Sequence, residues 1–281
     1  MTRLVDIQSH IGSMGELRDI VGAMRSLAGM RLQEAQRALP GVCRYAEAVA
    51  TGLASTLLLM AEPEPAKAAG GRRALVLCTA EHGFVGGFNE RLIGDAKTRL
   101  DPGDALFVLG SRGAALALER LQPPAWTHPM ASRCAGAPET IRRLMDALYH
   151  GIAHGGVARV EVMFCRYRQG GAPTVERRLL LPPDLAMLSA KQPRQPPLHN
   201  LPPIPLHEKL MAEYVFALLT EAAVESIASE NAARFAAMES AHDNVSKKLE
   251  ELRQEANQAR QSEITTELID LITGAEALNN G

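Results

Sequence analysis

From Leu206 to Gly281 the chain holds no proline, and its only glycines are Gly274 and the terminal Gly281. Along this stretch runs an apolar seam: Val224, Ile227, Asn231, Phe235, Met238, Val245, Leu249, Leu252, Ala256, Ala259, Ile264, Leu268, Leu271, Ala275 and Leu278. The steps are mostly three and four, and the one wide gap is bridged by Ala241 or His242. Such spacing keeps one stripe of an α-helix turned to a partner. A single helix of this length would reach about 110 Å at the α-helical rise. Pro202, Pro203 and Pro205 are expected to hold off regular helix until Leu206.

The amino-terminal segment supplies a partner stripe: Leu4, Ile7, Ile11, Met14, Leu17, Val21, Met24, Ala28 and Leu32. Pro40 and Gly41 predict a kink or short break, after which Tyr45, Val49, Leu53 and Leu57 resume the pattern. Residues 206–281 carry 14 acids against six bases, whereas residues 1–58 carry six arginines and five acids. Arg18 and Arg25 are therefore candidates for ion pairs across the seam, though exposed pairs contribute at most about 1 kcal/mol.

Between the helices, Ala74 to Cys78 and Ala105 to Leu109 read as short buried strands, and Val157 to Tyr167 and Thr174 to Leu181 as two more. Helices are expected at Asn89–Leu100, Ala114–Leu121 and Glu139–His150. Pro63, Pro65, Gly70 and Gly71 mark a linker. Gly170 and Gly171 mark a turn, and residues 182–205, with eight prolines, a long loop. The alternation predicts a partly parallel sheet covered by helices. The expected fold is α+β or α/β: a long antiparallel coiled coil of the terminal helices with a small inserted α/β domain. Its parts are 1–60, 72–204 and 205–281.

Charge and composition exclude several roles. A net charge of −2 lacks the basic excess of a general nucleic-acid binder. No apolar run is long enough to span a bilayer, and Asp6, His10, Glu16 and Asp19 break any secretory pattern. Cys43, Cys78, Cys134 and Cys165 have no CxxC spacing and read as reduced thiols, with neither a disulfide frame nor a zinc site.

The loop from Thr79 to Phe88 follows a strand and precedes a helix, where a nucleotide phosphate sits in α/β folds. Its glycines fit neither GxGxxG nor GxxxxGK[ST], so a loop packed against a partner competes with a phosphate cradle. Glu81 and His82 are either an acid–base pair or exposed polar residues. His150 and His154, four apart, are either metal ligands on one helix face or surface residues at a helix end. Asn231, on the seam, either fixes register or faces a hydrated stretch.

Several blocks together resemble the gamma subunit of F-type ATP synthases. They are Ile264-Thr265-Thr266-Glu267-Leu268-Ile269-Asp270-Leu271-Ile272-Thr273-Gly274-Ala275, preceded by Ala259-Arg260-Gln261-Ser262, and Ala228 to Met238 followed by Asp243-Asn244. Gly83, Gly86, Gly87, Phe88 and Asn89 match the family's glycine loop; Pro173-Thr174 and Leu180-Leu181-Pro182 also fit. The order of blocks covers essentially the whole chain. The amino terminus departs: Ala23-Met24 is present, but His10, Gly12, Asp19 and Gly22 stand in a region usually rich in lysine. Glu81, His82 and Val85 also replace common loop residues, which suggests a divergent branch.

The resemblance implies a central rotor stalk that couples proton or sodium flow to ATP turnover and has no catalytic residue, metal or cofactor of its own. It implies alpha and beta subunits, an epsilon subunit and a membrane ring of c subunits as partners. It also implies a peripheral place on the cytoplasmic face of the bacterial inner membrane. It makes Met24, Arg260, Gln261, Thr265 and Glu267 rotor–stator contacts, and Gly83, Gly86, Gly87, Phe88 and Asn89 a partner-facing loop. Two rival readings are a nucleotide-binding α/β enzyme with a helical oligomerisation arm, and a static coiled-coil scaffold.

Overall fold

The computed structural model describes residues 2–60, 71–168, 173–189, 191 and 195–279. The expected linker at Pro63, Pro65 and Gly70 and the turn at Gly170 and Gly171 lie outside these residues, as do the side chains of Ala275 and Leu278. In chain order the elements are α1 (Thr2–Thr56), β1 (Arg72–Cys78), α2 (Phe88–Lys97), β2 (Ala105–Leu109), α3 (Ser111–Arg120) and β3 (Trp126–His128). There follow α4 (Ala137–Gly155), β4 (Val157–Arg166), β5 (Thr174–Leu181), α5 (Leu185–Ser189) and α6 (Pro203–Asn279). The chain divides into two units, residues 28–234 and residues 1–27 with 235–281.

Of the kink or short break expected at Pro40, the break is absent, and the expected start of the second helix is corrected. Helix α1 does not break at Pro40. Pro40 lies on the exposed side, where water can take the lone carbonyl it leaves. A helix-interior proline costs about 3 kcal/mol. Burial of Val49 and Leu53, at about 1.5–3 kcal/mol each, together with Ala35, Ala46, Ala50 and Ala54, outweighs that. At the other end, α6 starts at Pro203 rather than Leu206. The Leu206 amide donates to the Pro202 carbonyl at 3.1 Å, which places Pro203 and Pro205 in the first turn. Amides there have no helical partner to lose.

In the 28–234 unit, five strands form one sheet in the order β3-β2-β1-β4-β5. The first four are parallel (Ala74 opposite Ala105 and Val160), and β5 is antiparallel to β4. Alternation along the strands divides the core. Leu75, Leu77, Leu106, Val108, Met163 and Cys165 meet α2 and α3 through Leu92, Ile93, Ala96 and Ala117. Ala74, Val76, Cys78, Phe107, Val160, Val162 and Phe164 face the opposite side. There they join Ile141 and Leu144 of α4, Leu53 of α1, and Leu219, Ala222, Ala223 and Ile227 of α6. Strand β3 and helix α5 were not legible in the pattern. β3 is three residues long, and only its pairing of Phe107 with Trp126 and Leu109 with His128 defines it.

In the unit of the chain ends, α1 and α6 pair antiparallel. Arg25 meets Glu239 at 3.4 Å, Gly22 faces His242, and Leu4 lines a groove with Ala259, Ser262 and Thr266. Ile7, Val21, Met238, Leu249 and Leu252 are buried along this seam. Arg25 thus makes the cross-seam pair anticipated for it, whereas Arg18 pairs with its neighbour Asp19. Among the described residues no helix is long and apolar enough to cross a membrane.

Candidate functional site

Strand order decides where a ligand would sit. β2 and β3 lie on one side of β1 and β4 on the other, so the chain changes direction at the carboxyl end of β1. In open α/β sheets that crevice receives a ligand's phosphate, held by a helix amino terminus. The glycine loop lies here, but the anion position is filled from within. Glu81 accepts hydrogen bonds from the Ser111 amide at 3.0 Å, the Ser111 hydroxyl at 2.7 Å and the Met130 amide at 2.8 Å. Its carboxylate therefore caps α3. Burial pushes that carboxyl up, but the Ser111 and Met130 hydrogen bonds and His82 overcome this and hold it below the ordinary value.

Helix α6 closes the other side of the crevice. Glu230 accepts from the Glu81 amide at 3.4 Å. Arg234 donates to the carbonyls of His82 and Gly83, both at 3.2 Å, and to Glu230 at 2.6 Å. Both charged residues are buried, at 5% and 6% exposure. Ser226 and Ser229 donate to the strand-end carbonyls of Cys78 and Cys165, each at 2.7 Å. Asn89 accepts from the Ala80 amide at 3.0 Å. Gly113 is required by close approach, since a Cβ there would overlap the Thr79 side chain. The space of a phosphate cradle is taken up by the chain's own groups, which is the physical argument against the nucleotide-enzyme reading.

The predicted loop residues separate into two sets. Gly86 and Gly87 are exposed and Gly83 half-buried. Phe88 and Asn89 are corrected: they turn inward, Phe88 into the α2–α3 core and Asn89 onto the Ala80 amide, and so hold the loop from inside. What the loop presents instead is Phe84, 66% exposed and at φ 61°. A bulky residue held in the left-handed region costs about 1–3 kcal/mol and persists where the surroundings enforce it. The bonds from Arg234 to the carbonyls of His82 and Gly83 supply that enforcement. No sequence signal marked Phe84, because φ is set by the turn and not by the residue.

On the terminal helices, Met24 is half-buried, and Arg260, Gln261, Thr265 and Glu267 are exposed. The Thr265 hydroxyl donates to the Gln261 carbonyl of its own helix at 2.8 Å. Among the described residues, Arg260 and Glu267 enter no ion pair. Beyond them Ile264, Leu268, Ile269, Leu271 and Ile272 are all exposed, the last two by 69% and 59%.

The remaining candidates resolve differently. Asn231 is buried, and its amide donates within α6 to the Ile227 carbonyl at 2.8 Å while its oxygen receives Arg234 at 3.2 Å. It braces the crevice and faces no hydrated stretch. Glu81 and His82 form no acid–base pair: Glu81 is the α3 cap, and His82 bonds Ser132 at 3.1 Å. The four cysteines are free thiols, and burial pushes Cys78 and Cys165 up to about 12. His150 and His154 stack on one another with centroids 4.6 Å apart.

The profile of the family described as ATP synthase matches residues 3–278. The chain belongs to the gamma-subunit family of F-type ATP synthases. Among curated relatives, the ATP synthase gamma chain of Streptomyces avermitilis is 30% identical, over 96% of this chain and 94% of that protein. That of Saccharopolyspora erythraea is 29% identical, over 100% and 99%. The fold also matches a chain in the Euglena gracilis mitochondrial ATP synthase (OSCP, F1 and c-ring), with a TM-score of 0.71 at 15% identity. That match covers 100% of this chain and 96% of the other.

Proposed function

We propose that the chain is the central rotor stalk of an F-type ATP synthase, coupling proton or sodium flow to ATP synthesis or hydrolysis at sites on other subunits. The observation that carries this reading is the whole-length family match over residues 3–278. Two structural features support it. The terminal helices pair along a buried seam yet leave an apolar stripe exposed from Ile264 to Ile272. The one crevice with nucleotide-site topology is filled by Glu81, Glu230 and Arg234. In this reading the chain forms no covalent bond and contributes no catalytic residue.

The terminal helices turn inside a ring of alpha and beta subunits, and the α/β unit meets the epsilon subunit and the c ring. The complex sits peripherally on the cytoplasmic face of a bacterial inner membrane. Rotation presents different faces of the stalk to each beta subunit, and the difference in contact energy biases its conformation. Met24, Arg260, Gln261, Thr265 and Glu267 are the stator-facing residues. Arg260 and Glu267 stand two turns apart on nearly one face and are free to bond a single stator loop. Exposed Leu268, Leu271 and Ile272 run in an apolar sleeve, where few fixed polar bonds keep the barrier between orientations low. In the glycine loop, Gly83, Gly86 and Gly87 shape the surface that Phe84 presents to a partner.

The test is co-purification from native membranes followed by reconstitution of the complex into vesicles. Alpha, beta, epsilon and c subunits should accompany one copy of the chain. A symmetric homodimer without them would favour the static scaffold. Stoichiometric ATP binding by the isolated chain would favour the enzyme.

A further inference from the structure

We propose that His150 and His154 form a two-imidazole site for a divalent transition-metal ion at the end of α4. They are the only histidines in the chain four residues apart. Both are exposed, and four residues on a helix is just over one turn, so their rings stand one above the other. The structure shows that stack, with centroids 4.6 Å apart and planes inclined by 27°. Neither ring has a hydrogen bond or ion pair to another described residue, unlike His82, His128, His199 and His207, whose ring nitrogens are engaged. Two imidazoles at this spacing are the arrangement a zinc helix uses for two of its ligands.

The end of the helix favours a cation. His154 lies in the last turn of α4, where the carbonyl ends attract positive charge. Asp146, one turn before His150, lines with it a groove of about 600 Å³. Arg143 and Arg72 also line it; the Arg143 guanidinium is paired with Glu139 at 3.4 Å, and Arg72 donates to the Gly103 carbonyl at 2.9 Å. Among the described residues no three His, Cys, Asp or Glu side chains converge tightly enough to enclose an ion. The site is therefore bidentate, with water completing the coordination. Nickel and copper suit it best, because imidazole sites follow the order in which these ions bind more strongly than iron, manganese or cobalt.

The chain carries its own reporter. Its single tryptophan, Trp126, lines the same groove as His150. Nickel is the better probe, since copper would oxidise exposed Cys43. The untagged full chain is titrated with nickel chloride by calorimetry, with Trp126 emission followed in parallel. One ion per chain should bind, quench the emission saturably and be released by EDTA. That binding should be lost in both His150→Ala and His154→Gln and retained in His128→Ala. Circular dichroism confirms that the variants keep their helix content, as replacement of exposed residues predicts. No stoichiometric binding by the unaltered chain overturns the proposal. So does binding that survives both substitutions, or that disappears only in His128→Ala.

Discussion

Helix α6 is one element in two environments. Between Val215 and Arg234 nearly every side chain is buried, and each charged group is matched. Glu230 pairs with Arg234, Glu221 with Arg178 at 2.9 Å, and Glu225 with Arg166 at 3.4 Å. Between Arg260 and Ile272 the same helix exposes Ile264, Leu268, Ile269, Leu271 and Ile272, and Arg260 and Glu267 pair with no described residue. The first stretch is completed by the chain itself. The second has the character of a surface completed by another protein, since contiguous exposed apolar groups mark interaction sites. Substitutions in the first should cost stability, and substitutions in the second should cost coupling.

The sharpest break comes from the buried pair. Arg234→Ala leaves Glu230 buried and uncompensated and should destabilise the 28–234 unit by about 3–5 kcal/mol. Urea unfolding followed by Trp126 emission measures it, because that residue belongs to the unit. A loss below about 1 kcal/mol would mean the crevice is wetter than its burial indicates.

Glu81→Ala removes the α3 cap and strands the Ser111 and Met130 amides, with an expected loss of about 1–2 kcal/mol. The effect carries a pH signature. The Glu81 carboxyl is held below its ordinary value, so its contribution is complete above the unfolded value, about 4.3, and is lost as pH falls through the lower folded value. Glu161 acts in the same direction. Burial raises its carboxyl, but the guanidinium groups of Arg177 and Arg159 more than reverse the shift. Urea midpoints taken from about pH 6 to pH 3 should fall in the unaltered chain and fall less steeply in Glu81→Gln. Parallel slopes would remove Glu81 from the account of acid sensitivity.

Phe84→Gly should move the other way, stabilising the isolated unit by about 1 kcal/mol through release of the left-handed backbone. In the assembled complex the same change removes the aromatic group the loop exposes, so partner retention should weaken while the melting temperature rises. A variant that gains stability and loses nothing on assembly would show that Phe84 contacts no partner.

The smallest stability effects belong to the exposed stretch. Arg260→Ala, Glu267→Ala and Leu271→Ala should each change unfolding free energy by less than about 0.5 kcal/mol. In reconstituted vesicles, however, Arg260→Ala with Glu267→Ala should lower the ratio of ion pumping to ATP hydrolysis. Met24→Lys should lower it as well, by adding a charge that holds one orientation. An unchanged ratio across all three would remove these residues from the coupling surface.

How much of this was legible beforehand follows from the range of each interaction. The two helical stripes, the strands Ala105–Leu109 and Thr174–Leu181 and the mixed sheet could be read from the chain, because periodicity is a local property. The family blocks were equally legible. The break allowed at Pro40 and the helix start at Leu206 were misjudged, the first because a local penalty of a few kcal/mol competes with burial gains spread over residues far away in sequence.

The chain by itself thus determined most of its helices and strands and its family, all encoded within windows of a few turns or strands. Tertiary structure alone decided that Glu81 would occupy the anion position, that Arg234 would close the crevice, and that Phe88 and Asn89 would face inward while Phe84 faced out. It also decided which length of α6 would be buried. Each of these outcomes depends on groups brought together from positions as far apart as Glu81, Met130 and Glu230. Such meetings are set by how the sheet orders its strands and by which helix packs across their ends, and no local spacing records either.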